Sequence, residues 1–487
     1  MLWTIVRREL LDHLISLRFA LLSILTLLLL TANGLVFSGE QRAAAVSRYN
    51  SDVRKADEEL EQRCSVGLGH LAERGPGNLY RRPGRLFFCV AGRDQHIPSR
   101  IEGGTHSGHG WGGKEFNYSW HMPWNLNYHL DTPAQLNPVL PSFAELDWSF
   151  IIGMVASLMA VLLTYDAISG ERQRGTLLLM MTNPIPRDSV LLGKFLAALL
   201  TVGLPLLTGL LISLLILHTG GRVDLDGADW GRLLLIVALS LVYVAVFVSF
   251  GLLISTWVRR PALGLLTLLL IWVLSVELIP GALGILGMHL VEPVTPLEKE
   301  RESRELSESF YEKMRAGLTD QPSPSQAPGD EKILADWADL FNDFQERDMQ
   351  IKDGAMDRQL RRVRFARQLT RLSPTALYRY ALEGLAGTGF PHYYAFVQQT
   401  RRYRNRFVEF VLQEDGGDSD SPHVYFVKEG LSSEPVEPHR VPRFVDRFDF
   451  AAGLQVAAWD LVALVLLAVV IFLAAYLSFL RCDLIEA

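Results

Sequence analysis

The sequence predicts a mainly α-helical, polytopic membrane protein with six transmembrane helices, both termini cytoplasmic, and two extracytoplasmic modules. Three observations carry this. Apolar residues make up 49% of the 487 residues, and they are segregated into runs of Leu, Val, Ala and Ile between charged stretches, a membrane pattern. Six of those runs match the ~20 residues that a helix needs to cross a bilayer. The connections between them are unequally supplied with Lys and Arg, which orients the chain. The formal net charge of −6 gives no sign of nucleic-acid binding.

The first run, 19–37, follows Arg7, Arg8 and Arg18. It exceeds the ~7–15 residues of a signal-peptide core, so it reads as a retained helix, with Ala32-Asn33-Gly34 as the alternative, a cleavage point. The other runs are 148–165, 190–217, 233–258, 262–290 and 461–480. Backbone polar groups in hydrocarbon have no water to bond, so each must be helical. The runs are continuous rather than alternating, which excludes a barrel. Pro205 predicts a kink in the third. Arg172, Arg174 and Arg187 lie between the second and third runs, Arg259 and Arg260 between the fourth and fifth, and Arg481 after the sixth. With the N-terminal arginines they share one side, the cytoplasmic one.

Residues 38–147 and 291–453 then lie outside. The first module reads as mixed α/β. A charged helical pattern from Glu40 to Arg63 gives way, after Gly75-Pro76-Gly77, to Leu86–Val90, which has the texture of a short strand. His106, His109, His121 and His129 cluster with Trp111, Trp120 and Trp124. Their spacing matches no specific ligand pattern, and a loop at the membrane interface is the favoured reading. Asn117-Tyr118-Ser119 is a glycosylation sequon, relevant only in a eukaryotic secretory chain. Of the three cysteines, Cys64 and Cys89 fall outside and Cys482 inside. A Cys64–Cys89 disulfide is expected over two unpaired side chains, because free thiols are a liability in an oxidising compartment.

The second module reads as mostly helical. Helical patterns cover 298–318, 331–372, 375–385 and 392–412, with a Pro/Ser linker at 321–329 and a break at Ser373-Pro374, where Ser373 can cap the next helix. Arg358, Arg361, Arg362, Arg364, Arg367 and Arg371 form a basic run. It reads as a solvated helix face, with anionic lipid headgroups or substrate as the alternative contact.

The informative stretch is 166–189, between the second and third spans. Glu171, Arg172 and Arg174 make it water-facing, and Gly175-Thr176 supplies a bend. Leu177 to Met181 is an apolar run too short to span, suited to burial against a partner or the membrane domain. Asn183-Pro184-Ile185-Pro186 stops it. Glu171, Gly175, Thr176, Leu177, Pro184, Arg187, Gly193 and Lys194 together resemble the cytoplasmic coupling region of ABC permeases of the type-2 exporter class. Residues 1–18, with Arg7, Arg8, Glu9 and Leu10, resemble that family's amphipathic entry helix. Within the second outer segment, Leu372-Ser373-Pro374 and Ala386-Gly387-Thr388-Gly389 resemble a subgroup with large extracytoplasmic insertions, here between the fifth and sixth spans.

The resemblance implies a transmembrane permease subunit that couples ATP hydrolysis to export. Its ATPase-coupling interface would comprise Glu171, Gly175, Thr176, Leu177, Met180 and Arg187. The implied partners are a cytoplasmic ATPase dimer, a second permease copy or a sister permease, and the lipids of a bacterial inner membrane. The chain has no Gly-x-x-x-x-Gly-Lys-[Ser/Thr] loop, so ATP would come through the partner and the chain is no enzyme by itself. It has neither His-Glu-x-x-His nor Gly-x-Ser-x-Gly to suggest a hydrolase. No cofactor or metal site is expected in it.

Glu277 stands inside the fifth run. A carboxylate in hydrocarbon is costly, which makes it a candidate polar site. The adjacent Pro280-Gly281 offers another reading, a re-entrant outer end that leaves Glu277 wet. The substrate is not readable. An alternative function is a subunit that passes ATP-driven motion to its outer modules without moving substrate through the bilayer.

Overall fold

Helices are the only open-ended elements that satisfy their own backbone in lipid, and they dominate this chain. The structure, a computed structural model, describes residues 2–37, 40–91, 97–105, 107–109, 119–128, 146–182, 186–220, 225–292, 296–318, 322, 324, 329–425 and 427–481. The N-terminal helix α1 (Leu2–Leu14) precedes the first span α2 (Leu17–Phe37). After two helices, α3 (Glu40–Val66) and α4 (Leu68–Arg74), and a group of short strands, the second span comprises α5 (Trp148–Phe150), a π-helical turn (Ile151–Ala156) and α6 (Ser157–Thr164). The short helices α7 (Ser169–Gln173) and α8 (Thr176–Met181) lead to the third span, α9 (Arg187–Thr219). The fourth is α10 (Gly227–Trp257). The fifth joins α11 (Pro261–Val273) through a π turn (Leu274–Leu278) to α12 (Ile279–Leu290). The sixth is α17 (Phe450–Leu480). Among the described residues, these six are long and apolar enough to cross a membrane.

Local signals account for several boundaries. Asp226 and Asp229 form a capping box at the start of α10, each side chain accepting from the other's backbone N–H. Pro261 opens α11, where its missing N–H costs nothing. Pro205 is accommodated inside α9. Small residues let spans approach closely. A Cβ on Gly251 would lie 1.7 Å from Thr164 Oγ1, so α10 and α6 touch backbone to side chain.

The spans have two distinct ends. At one, the turn end, α1, residues 166–182, the start of α9, the α10–α11 turn and the end of α17 come together: Arg18 pairs with Asp166, Thr256 bonds Ser478, and Arg187 donates to Leu480 O. At the other, the module end, both long segments meet the bundle. There Arg85 pairs with Asp226 and Asp229, and Arg232 donates to Phe448 O.

The modules are interwoven rather than consecutive. Helices α3 (Glu40–Val66) and α4 (Leu68–Arg74) precede strands β1 (Leu79–Tyr80), β2 (Arg100–Gly104), β3 (Ser107–His109), β4 (Ser119–His121) and β5 (Asn125–Asn127). The strands form an antiparallel sheet of order β1-β2-β5, with Leu79 opposite Ile101 and Gly103 opposite Leu126, and a β3-β4 hairpin. From the second segment come α13 (Pro296–Leu318), α14 (Glu331–Thr370), α15 (Pro374–Ala386) and α16 (Gly389–Asp415). Cys64, Leu71 and Trp124 from the first segment share a core with Leu360, Phe396 and Phe407 from the second.

Four expectations differ from what is observed. Leu86–Val90 forms turns, not a strand. Its Phe88 packs edge-on against Trp148 at 5.2 Å, so the apolar run reflects burial against the spans. The Cys64–Cys89 disulfide is not formed. Both thiols are free and buried, Cys89 in the core of the spans and Cys64 in the core of the modules. The fifth span has no re-entrant break at Pro280-Gly281, because the π turn continues the helix into α12. The element that enters the bundle from the module end is α15, expected in the outer module. Its Leu377, Tyr378, Ala381, Leu382 and Leu385 are buried in the core of the spans. Pro184, Cys482, His106, Trp111, Asn117 and His129 lie outside the described residues.

Candidate functional site

The elbow between the second and third spans is built from short local rules. After Thr164 the chain turns into α7, held to α10 where Ser255 Oγ accepts from the backbone N–H groups of Ile168 and Ser169, at 2.9 and 3.1 Å. Gly175 ends α7 and begins α8 at φ 73°, a left-handed conformation that glycine adopts without a Cβ penalty. Thr176 Oγ1 then donates to Glu171 O across the bend. The six residues of α8 divide by face. Leu177 is buried beneath the elbow and Met180 packs partly on the span core, while Leu178 and Leu179 are 50% and 67% exposed. The elbow therefore carries an exposed apolar edge.

The elbow is braced by a charge clamp. Lys194, on the first turns of α9, has a side chain only 2% exposed, and its Nζ lies 2.8 Å from Glu171 Oε1 and 2.8 Å from Glu9 Oε1. One ammonium thus ties α7, α9 and α1 together. A buried lysine is tolerable only when paired and hydrogen-bonded, and here two carboxylates do so. The α1–α9 contact beneath is close, since a Cβ on Gly193 would come within 2.8 Å of Ile5 Cγ2. Burial pushes His13, near the end of α1, below its ordinary value, against the opposing pull of the Glu9 charge. A second pair, Arg18 and Asp166 at 3.3 Å, joins the start of α2 to the elbow, with the Arg18 guanidinium 5.0 Å from the Tyr165 ring centre.

Glu171, Gly175, Thr176, Leu177 and Met180 therefore share one elbow. Arg187 stands at the base of α9, where Nη1 donates to Leu480 O at 2.7 Å, linking the elbow's exit to the end of the sixth span. Glu277 is elsewhere, exposed on the π turn of the fifth span. The sequence reading did not identify the clamp partners. A lysine at the head of an apolar run signals that some acid must face it, but nothing local says that Glu9 is one.

A helical chain with six candidate spans, an elbow with an open apolar edge and an N-terminal helix clamped to it defines a multi-pass membrane protein. The profile of the family described as "ABC-2 family transporter protein" matches residues 3–484, and the chain belongs to that family. Over 52 residues it is 54% identical to the "Probable ABC transporter permease protein NosY" of Pseudomonas aeruginosa, covering 11% of this chain and 19% of that protein. The protein of the same description from Stutzerimonas stutzeri is 50% identical over 52 residues, with the same shares. The matched stretch spans about a fifth of each relative's length. The chain is thus a multi-pass membrane protein of the ABC-2 transporter family.

Proposed function

We propose that this chain couples ATP hydrolysis by a separate ATPase chain to export of a substrate, with both termini and the elbow cytoplasmic and the two modules extracytoplasmic. The observation that carries the reading is the Lys194 clamp beneath the open Leu178–Leu179 edge. An ATPase docked on α8 would push on a lever that cannot yield separately from α9 or α1, because Lys194 holds all three. Two permeases, identical or sister chains, would flank the path, each seated on one ATPase of a dimer, in a bacterial inner membrane. The test is co-purification with candidate ATPases, with and without Glu171→Arg. A wild-type complex that hydrolyses ATP and is lost in the variant supports the reading. No complex with any ATPase, together with labelling of the elbow from outside the cell, would overturn it.

A second reading, transmission of motion to the modules without substrate passage, is favoured by one observation. The module-end space among the second, fourth, fifth and sixth spans is filled by α15.

A further inference from the structure

The helix that fills the module end is not an isolated plug. It follows directly on α14, whose 40 residues make a rod about 60 Å long. The first half of α14 belongs to the outer module, where Trp337, Phe341 and Phe344 pack with Phe310 and Met314 of α13. Its last turns lie against the fifth span. Arg362 Nε donates to Met288 O at 2.6 Å, and a Cβ on Gly287 would meet Ala366 Cα at 2.6 Å. The chain then reverses through Thr370–Ser373, and α15 climbs back out beside α17 and α10.

This hairpin is bonded into the bundle at its tip. Ser373 caps α15, accepting from Thr375 N and Ala376 N, and its hydroxyl donates to Ser275 O at 2.5 Å. Thr375 Oγ1 lies 3.0 Å from Tyr243 OH, which donates to Gly153 O at 2.8 Å. Tyr378 stacks on Tyr243 at 4.4 Å and shares a hydrogen bond with Ser240. A buried ion pair, Arg367 to Glu383 at 2.6 Å, joins the two limbs, and the part-exposed Arg371 pairs with buried Asp460 of α17 through two bonds of 2.6 and 3.1 Å.

The two carbonyls at the tip are the informative part. Ser275 O belongs to the π turn of the fifth span, and Gly153 O to the π turn of the second. A π turn is a helix with one residue too many, and such turns occur preferentially at functional positions. Ser275 O accepts directly from Ser373 at the tip, and Gly153 O is tied to it through Tyr243 of α10, whose hydroxyl also contacts Thr375. A change of register in either span moves a hydroxyl partner of the tip. The rod, resting against α12, carries that movement outward.

We propose that the α14–α15 hairpin is a lever that converts rearrangement of the second and fifth spans into displacement of the outer module. The inference deepens the permease reading and rests on it for the source of motion, but its mechanical content belongs to this chain alone. The tip is the input, the α12 contact is the fulcrum, and the α13–α14 half is the output.

The test uses the full chain in lipid nanodiscs without any ATPase, so its failure is separate from failure of ATPase docking. Nitroxides at Arg301→Cys on α13 and Ala228→Cys at the module end of α10, with Cys482→Ser, report the module-to-span distance by pulsed electron resonance. A control pair, Ala228→Cys with Thr208→Cys on α9, reports the spans alone. Tyr243→Phe combined with Ser373→Ala removes the two hydroxyls that donate to the π-turn carbonyls. The expected result is a shift or broadening of the module distance on the order of one helical turn, ~5 Å, with the control pair unchanged. Tyr243→Phe alone, which keeps the ring stack, gives a smaller shift in the same direction. An unchanged module distance overturns the lever. So does an equal change in both pairs, which would mean general loosening of the bundle.

Discussion

Lys194 Nζ stands 2.8 Å from the carboxylate of Glu171, a residue 23 positions earlier, inside a contact where the lysine is almost wholly excluded from water. Removing one member of such a contact leaves charge without its partner, at a cost of about 3–5 kcal/mol for a buried pair. Lys194→Met is therefore expected to destabilise the turn end strongly and to free α1. Glu171→Gln, with Glu9 still bonded to the ammonium, should cost less. The measurement is thermal unfolding with limited proteolysis near Ser16. If Lys194→Met melts like wild type and leaves α1 protected, the clamp does not hold the elbow.

The second expectation concerns the thiols. Cys64 and Cys89 are free and buried, and burial pushes both thiols above the ordinary cysteine range. Neither should react with maleimide in the native protein, and both should react after denaturation. Reduction should not change electrophoretic mobility. A native chain that shifts on reduction would restore the disulfide expected from the sequence.

Third, the close approach of α10 and α6 makes Gly251 intolerant of a side chain. Even the methyl of Gly251→Ala would lie 2.6 Å from Thr164 Cβ. Overpacking of this kind costs about 1–3 kcal/mol. Gly231, which has open space around it, is the control. Gly251→Ala should lower the melting temperature, and Gly231→Ala should leave it unchanged or slightly raised, in keeping with alanine's helix preference. Equal melting temperatures would mean that the two spans are not in contact at Gly251.

How much of this was readable in advance depended on range. The six spans were legible because a continuous apolar run has one solution in lipid. The elbow was legible because Glu171, Gly175, Thr176 and Leu177 form a local pattern. The position of α15 was not. Its 13 residues include Arg379 and Glu383 and look like a surface helix, and it is Arg367, 16 residues before Glu383, whose close pairing makes burial of that carboxylate tolerable. Leu86–Val90 failed for a related reason. A short apolar run is the same signal for a strand and for a buried turn, and Trp148, far along the chain, decides between them. The cysteines were placed by compartment logic, which says nothing about which core each side chain joins.

The buried pair at the hairpin gives a fourth expectation. Glu383 is 1% exposed and accepts from Arg367 at 2.6 Å, with Arg379 3.9 Å away on its other side. Glu383→Gln should destabilise by about 3 kcal/mol or more, because two guanidinium groups lose their carboxylate. Adding Arg367→Met should recover part of the loss, since an apolar side chain needs no counter-charge. A double-mutant cycle on thermal unfolding measures the coupling. Strict additivity of the two substitutions would show that the pair does not interact in the folded chain.

The last expectation is a pH dependence at the turn end, and its sign follows from His13. Burial holds the folded-state value below the ordinary 6.5. As pH falls through 6.5, the released α1 takes up a proton before the docked helix does. The docked form therefore loses stability from about that pH downward until the folded-state value is passed. Above 6.5 the contribution is present in full. Proteolysis between α1 and α2 should accelerate as pH falls below about 6.5, and His13→Gln should flatten that rise while leaving the rate at pH 8 close to wild type. An acid response unaltered by His13→Gln would show that burial of His13 does not set the dependence.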